Sequence, residues 1–408
     1  MIGATLKWID GLFSRPWRPA PTLALAGVLA ALYYGATGTL WAVTGEFTRW
    51  GGNLVQLAGA DPTQWAYFKA ITLKGEPWDR LDGWLVAGML LGGLVSALAS
   101  RSFKFRRPAR RRRWIQGLCG GMLAGFGTRL AMGCNLAAFF TGLPQFSFHA
   151  WLFIVGTAGG TYAASRLVIV PWFRGGPKVT RGPFVAPFAP NVLDSPPSRQ
   201  PIAGLGIAAI GAVLAAYQLA SGRPAFAGVL LAGAVFGLLL QRGQICFTSA
   251  LRDLWLTGRA TMAKAILIGM AVETVLTAIL IARGAPAITH WASPGALLGG
   301  ILFGIGIVIA GGCETGWMYR LMEGQMQFLA VGVGNVIGAT VLAYGWDHWG
   351  IARALVVGWP ELDLVHSLGM AGALVATFTF LAASYAGVTL LEDRYLRRLP
   401  RRAVQSEA

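Results

Sequence analysis

Polar residues are rationed along this chain. Charge-free apolar runs cover 20–45, 83–100, 202–221, 224–240, 284–313 and 367–391, and nearly charge-free runs cover 114–128, 149–165, 261–282 and 328–346. Most approach or exceed the roughly 20 residues a helix needs to cross a bilayer. The pattern predicts an all-α, polytopic membrane protein with about 9–10 spanning helices plus broken or re-entrant segments. The first apolar run is about twice the length of a signal-peptide core, so it reads as a retained helix.

Composition agrees with that solvent. Of 408 residues, 55% are hydrophobic and 12% charged. A soluble domain carries about twice that charged share. The net charge of +17 would suit nucleic acid, but its distribution argues against such a partner. Eight basic residues crowd into "RSFKFRRPARRRR" (101–113) and five into "RYLRRLPRR" (394–402), each flanking an apolar run. Cytoplasmic segments of membrane proteins carry such charge, and it meets anionic lipid. Counting crossings from a cytoplasmic N-terminus returns the C-terminus to the cytoplasm. The Pro-rich basic stretch 173–200 divides the chain into a first membrane repeat (1–172), a cytoplasmic linker, and a second repeat (201–408) with a cytoplasmic tail.

The division into repeats rests on a duplicated motif. Residues 120–134 read "GGMLAGFGTRLAMGC" and residues 299–313 read "GGILFGIGIVIAGGC". Both fit GGxxxGxGxxxxxGC, a sign of internal duplication. An odd number of predicted crossings separates the copies, so the repeats should be inverted. Transporters of that design place their site near the midplane on interrupted helices. The motif glycines permit close helix approach. Gly133 and Gly312 then let the backbone leave helical geometry, and the freed amides can hold an anion.

The cysteines are Cys119, Cys134, Cys246 and Cys313. None forms a CxxC pair, none has zinc spacing, and spacing supports no disulfide, metal or cofactor site. Cys119, without a repeat partner, reads as a small buried hydrophobe. Cys134 and Cys313 end the two motifs and read as path residues. Cys246 reads as a third, nearer an aqueous mouth. Intramembrane polar residues are candidates by default. Arg129 can attract an anion, pair with a carboxylate or snorkel. Glu314 can relay protons or pair with Arg320, and Asn135 and Asn335 can hydrogen-bond within a cavity. Glu273 reads as half of a buried ion pair or as a coupling site. His149, His290, His348 and His366 lie near predicted helix ends and read as interfacial.

"RGQICFTSALRD", "GTRLAMGC" and "AGGCETGWMYR" resemble the signature segments of the YeeE/YedE family of sulfur-compound membrane transporters. "WAVTGEFTRWGG", "LAMGCNLAAFFTGLPQFSFHAW" and "AKAILIGMAV" resemble its YedE branch, associated with selenium metabolism. The resemblance implies a bacterial inner-membrane protein that takes up a small inorganic chalcogen anion through an hourglass-like path, with Cys134, Cys246 and Cys313 along it. It also implies a cytoplasmic TusA-like sulfur-carrier protein as partner. Thiosulfate members carry a further cysteine near the start of the first half, where this chain has Trp41, Thr44 and Glu46. Thiosulfate and a selenium compound therefore both remain open as substrate. A membrane thiol oxidoreductase would require a close cysteine pair, which the spacing does not show. A structural subunit would leave the repeated motif without a purpose. No ATP-binding motif such as GxxxxGKS/T occurs, which argues against a primary pump within this chain, and the chain is expected to be a transporter rather than an enzyme.

Overall fold

In lipid a backbone has no water to bond, so apolar runs fold as helices that satisfy their own amides. The computed structural model describes residues 15–170 and 199–398, together with Phe13 and Phe173. The linker expected at 173–200, save its edges, and the last arginines of the tail lie outside the described residues. Helix α1 (Pro19–Thr37) opens on a proline, whose missing N–H costs nothing in the first turn, and stops at Gly38 with φ 68°. Short α2 (Thr44–Leu57) and α3 (Ala66–Ile71) precede long α4 (Leu81–Ala99) and α5 (Arg111–Leu130). A π-type turn, Asn135–Phe140, leads into α6 (Phe148–Ile169).

Beyond the linker come α7 (Gln200–Ala220), α8 (Pro224–Arg242), short α9 (Phe247–Thr257) and α10 (Thr261–Ala282). Then follow α11 (Pro294–Ala310), short α12 (Glu314–Met322), α13 (Gln327–His348), α14 (Ile351–Leu355) and α15 (Leu364–Arg398), the last broken at Gly369. Among the described residues, nine helical stretches are long and apolar enough to cross a membrane, and besides α15 two of them (224–257 and 294–322) are interrupted. Helix α5 is 20 residues long yet falls outside that set. It opens on three arginines and carries Arg129. The chain is a multi-pass helical membrane protein.

Five helix pairs dominate the packing: α5 with α13, α6 with α11, α4 with α8, α1 with α10, and α5 with α11. Glycine explains how they come so close. A methyl group at Gly120 would sit 2.4 Å from the Ala310 nitrogen, one at Gly127 2.6 Å from the Gly299 oxygen, and one at Gly306 2.5 Å from the Ala124 nitrogen. The α5–α11 crossing is thus backbone against backbone, as small-residue motifs allow in membranes. Methyl groups at Gly121 and Gly125 would sit 2.3 and 2.2 Å from the Val331 and Asn335 carbonyl oxygens of α13. At their repeat counterparts Gly300 and Gly304, methyl groups would sit 2.6 and 2.5 Å from the Phe153 and Thr157 carbonyl oxygens of α6. The repeat offset also carries α6 onto α13 end for end, both 22 residues long.

Interactions sort the loops to two ends. At one end Trp17 N–H bonds the Arg242 carbonyl, Lys104 N–H the Glu323 carbonyl, and Arg106 N–H the Gly324 carbonyl. Tyr395 there donates to the Trp255 carbonyl, and Lys264 pairs with Glu392. The basic 101–113 segment and α15's basic end therefore share a side. At the opposite end Ala292 N–H bonds the Pro360 carbonyl, and Leu364 N–H the Phe146 carbonyl. Exposed Leu, Val and Tyr side chains on α7 and α15 face outward, where lipid rather than water is the solvent.

Candidate functional site

Three cysteines occupy one local design. Met132 (φ 55°), Gln244 (φ 50°) and Gly311 (φ 79°) each take the left-handed conformation. Two residues later come Cys134, Cys246 and Cys313, each the N-cap of a short helical segment. A left-handed residue ends the long helix, one extended step follows, and a new helix starts at the sulfur-bearing residue. For Met132 and Gln244 that conformation costs about 1–2 kcal/mol, a cost tolerated where the surrounding structure over-determines it. The fourth short helix, α2, has Val43 as its N-cap instead.

The caps converge. Cys246 and Cys313 lie with their sulfurs 3.8 Å apart. The Phe247 N–H donates to Cys313 Sγ at 3.3 Å, and Thr315 Oγ1 sits 3.1 Å from the same sulfur. Gly316 backs the pair, for a methyl there would come within 2.6 Å of Cys246 Sγ. Two expectations are corrected here. A close cysteine pair exists, formed between residues far apart in sequence, and Cys246 is fully buried rather than open to an aqueous mouth.

Cys134 is fully buried, within electrostatic reach of Glu314 and Arg129. Arg129 is only 6% exposed. It donates to Thr44 Oγ1, which ties α5 to the start of α2, while its Nε has no partner among the described residues. Glu314 Oε1 accepts from Asn335 Nδ2 at 2.9 Å, and its Oε2 is unpartnered. Glu314 does not pair with Arg320. That guanidinium is occupied by the Tyr319 hydroxyl at 3.1 Å and the Gly311 carbonyl at 2.9 Å, which clamps the break before Cys313. The Asn135 side chain has neither oxygen nor nitrogen partnered, and Trp317 Nε1 is likewise orphaned. Gly133 and Gly312 are small by necessity, since a methyl would strike Ala138 Cβ (2.6 Å) or the Phe328 ring (2.8 Å). Buried polar groups without partners cost about 1–3 kcal/mol each. Several such groups lie on residues beside Cys134 and Cys313.

The thiols are closed off in this conformation. Phe47 packs on Trp317 with centroids 5.4 Å apart, and Phe139 edges Phe247 at 5.4 Å. A neighbouring 260 Å³ cavity between α6, α9, α10 and α15 is apolar, with Phe139, Phe247, Trp255 and Phe380 in its lining but no cysteine, arginine or acid. Its lining suits hydrocarbon, not an anion.

Other expectations fare unevenly. Cys119 is exposed on α5, not buried, because its helix face lies away from the α11 and α13 contacts. Glu273 is buried with Oε2 unpartnered, and no ion pair reaches it among the described residues. His149 is buried rather than interfacial, bonded to Ser147 Oγ at 2.7 Å with its ring 5.0 Å from His290, whereas His348 and His366 are exposed. A polar cluster escaped the sequence altogether. Glu46, fully buried, accepts from Arg80 Nε (3.0 and 3.1 Å), Arg80 Nη2 (2.7 Å) and Trp50 Nε1 (2.9 Å). Arg49 bridges this group to Asp82 at 2.6 Å. The glutamate in the first turn of α2 was the available signal, but its partner lies beyond α3.

A family model described as "Sulphur transport" matches residues 3–163 and 242–407. The chain belongs to that family. The two matched blocks hold α1–α6 and α9–α15 and leave out α7 with most of α8. Among curated members, "Probable transporter YedE" of Escherichia coli is 46% identical over 383 residues, covering 94% of each chain, and its Salmonella typhimurium namesake is equally similar. A more distant member, "Thiosulfate transporter TsuA" of Spirochaeta thermophila, is 40% identical over 124 residues, or 29% of this chain and 37% of its own.

Proposed function

We propose that the chain takes up a small sulfur- or selenium-containing oxyanion across the bacterial inner membrane, through the cluster of thiols where the short helices begin. The observation that carries this reading is a set of three buried cysteine caps, two in contact and the third within electrostatic reach of Glu314 and Arg129, with unpartnered polar groups on the residues beside them. Thiols are soft, weak hydrogen-bond donors suited to a terminal sulfur or selenium. Arg129, Asn135 and the amides freed by Gly133 and Gly312 suit charged oxygens, since helix N-termini favour anions. Several weak sites in series favour passage over retention. Glu314, held by Asn335, would repel an anion when ionised, so its protonation state sets how strongly the site holds its guest.

The packing supports two inverted halves within 1–172 and 201–408. Exchange α1–α2 with α8–α9, α4 with α10, α5 and its π-type turn with α11–α12, and α6 with α13. The pair α5–α13 then becomes α11–α6, α4–α8 becomes α10–α1, and α5–α11 maps onto itself. A pseudo-two-fold axis through that last crossing accounts for all five contacts and relates Cys134 to Cys313. Helices α7 and α15 have no counterparts and lie outside the repeat. The basic end, with Arg101–Arg113, is assigned to the cytoplasm by the positive-inside rule. It would face anionic lipid and a TusA-like carrier protein.

Uptake of labelled thiosulfate and of labelled selenite, by cells with this gene as their only route, tests the reading and separates the substrates. Uptake of neither, at verified membrane abundance, would overturn it.

A further inference from the structure

Cys246 and Cys313 are held as a pair in a way that transport by weak contacts does not require. Their sulfurs are 3.8 Å apart, both side chains are buried, and the Phe247 amide and Thr315 hydroxyl fix one sulfur in place. Gly316 leaves room for the other, since a methyl there would come within 2.6 Å of Cys246 Sγ. Each cysteine opens a helix, and the Arg320 guanidinium lies within electrostatic reach of both. A disulfide needs the sulfurs at about 2.05 Å. They must close by roughly 1.8 Å.

We propose that this pair is a two-electron dithiol/disulfide site whose oxidant is a small hydroperoxide. One sulfur, as thiolate, attacks an oxygen of hydrogen peroxide. The O–O bond breaks, hydroxide leaves and takes up the displaced thiol proton as water, and a sulfenic acid remains. The second sulfur attacks the first, the S–O bond breaks, and a second water forms with the remaining thiol proton. Two thiols lose two electrons and one peroxide gains them. Oxidation at the sulfenic stage is reversible by thiols. The bond would pin the start of α9 to the start of α12 and remove two donors from the cluster, so the oxidised protein would not transport. That consequence rests on the proposed passage; the cross-link itself does not.

The purified full-length protein in detergent is treated with hydrogen peroxide, its remaining thiols are alkylated after denaturation, and its peptides are mapped with and without reductant. We expect the four free thiols to fall by the two of this pair, with Cys246 and Cys313 peptides joined and released by dithiothreitol. A Cys246→Ser variant should give no joined peptide at the same dose. In cells, labelled-anion uptake by the wild-type chain should drop by about tenfold or more after peroxide and recover with reductant, as a reversible thiol modification requires. Retention of all four thiols, or a different pair joined in their place, would overturn the proposal. A mapped Cys246–Cys313 bond with unchanged uptake would sustain the redox pair and count against the passage.

Discussion

Arg129→Gln keeps a side chain able to donate to Thr44 while deleting the guanidinium charge. Arg129 is almost fully buried, and among the described residues its only fixed partner is a hydroxyl. A buried cation with no carboxylate in contact carries a desolvation cost of several kcal/mol, which Glu314 offsets only at a distance. The neutral variant should therefore melt at the wild-type temperature or above it. Its function should suffer nonetheless. A hydrogen bond to a charged group is worth about 1.5–3 kcal/mol, and each 1.4 kcal/mol is tenfold, so uptake well below saturation should fall roughly ten- to a hundredfold. Arg129→Lys should recover part of the loss, since it keeps the charge without the fork. The assay is the initial rate of labelled-anion uptake at matched membrane abundance, paired with thermal unfolding in detergent. A lower melting temperature with unchanged uptake would show Arg129 to be a strut and refute its role as an anion ligand.

The cysteines should be unequal: Cys134→Ala and Cys313→Ala should cut initial uptake strongly, while exposed Cys119→Ala should match wild type, and full activity in a Cys134/Cys313 double alanine variant would sink the thiol path. Gly306→Ala should lower detergent melting temperature through about 1–3 kcal/mol of overpacking, because its methyl meets the Ala124 nitrogen at 2.5 Å; an unchanged transition would contradict the tight crossing. Arg80→Ala should cost about 3–5 kcal/mol by stranding the buried Glu46 charge, and adding Glu46→Gln should restore part of that stability; equal melting of the single and double variants would show that Arg80 neutralises no buried charge.

The helices and the glycine crossing were legible because lipid leaves the chain few options and because the motif occurs twice. GGxxxGxGxxxxxGC named the residues that meet across α5 and α11 and the two cysteines that follow. The Cys246–Cys313 contact was not legible. It joins caps 67 residues apart through a fold of two breaks, and no local spacing rule describes it. Of the three left-handed residues that aim the cysteines, only Gly311 declares itself; Met132 and Gln244 are forced into that conformation by what packs around them. The Glu46–Arg80 pair is hidden likewise, since 34 positions and a short helix intervene. His149 read as interfacial from its place near a helix end, yet the partners that bury it, Ser147 and His290, come from the loops before α6 and α11.

The α5–α11 crossing also bears on how such a protein could move. With glycine facing backbone on both sides, no rotamer can change there, and sliding either helix would drive Ala124 or Ala131 into space that only a glycine leaves free. Mechanically it is a rivet, not a bearing. A cycle in which two halves rock past one another would have to break it on every turnover. We therefore expect the stroke to be confined to the short helices pivoting at Met132, Gln244 and Gly311, while the outline of the bundle stays fixed. Spin labels on the ends of α5 and α11 should report a single narrow distance with and without thiosulfate, and labels on α9 and α12 a distance that changes; a substrate-dependent shift in the first pair would mean the rivet gives.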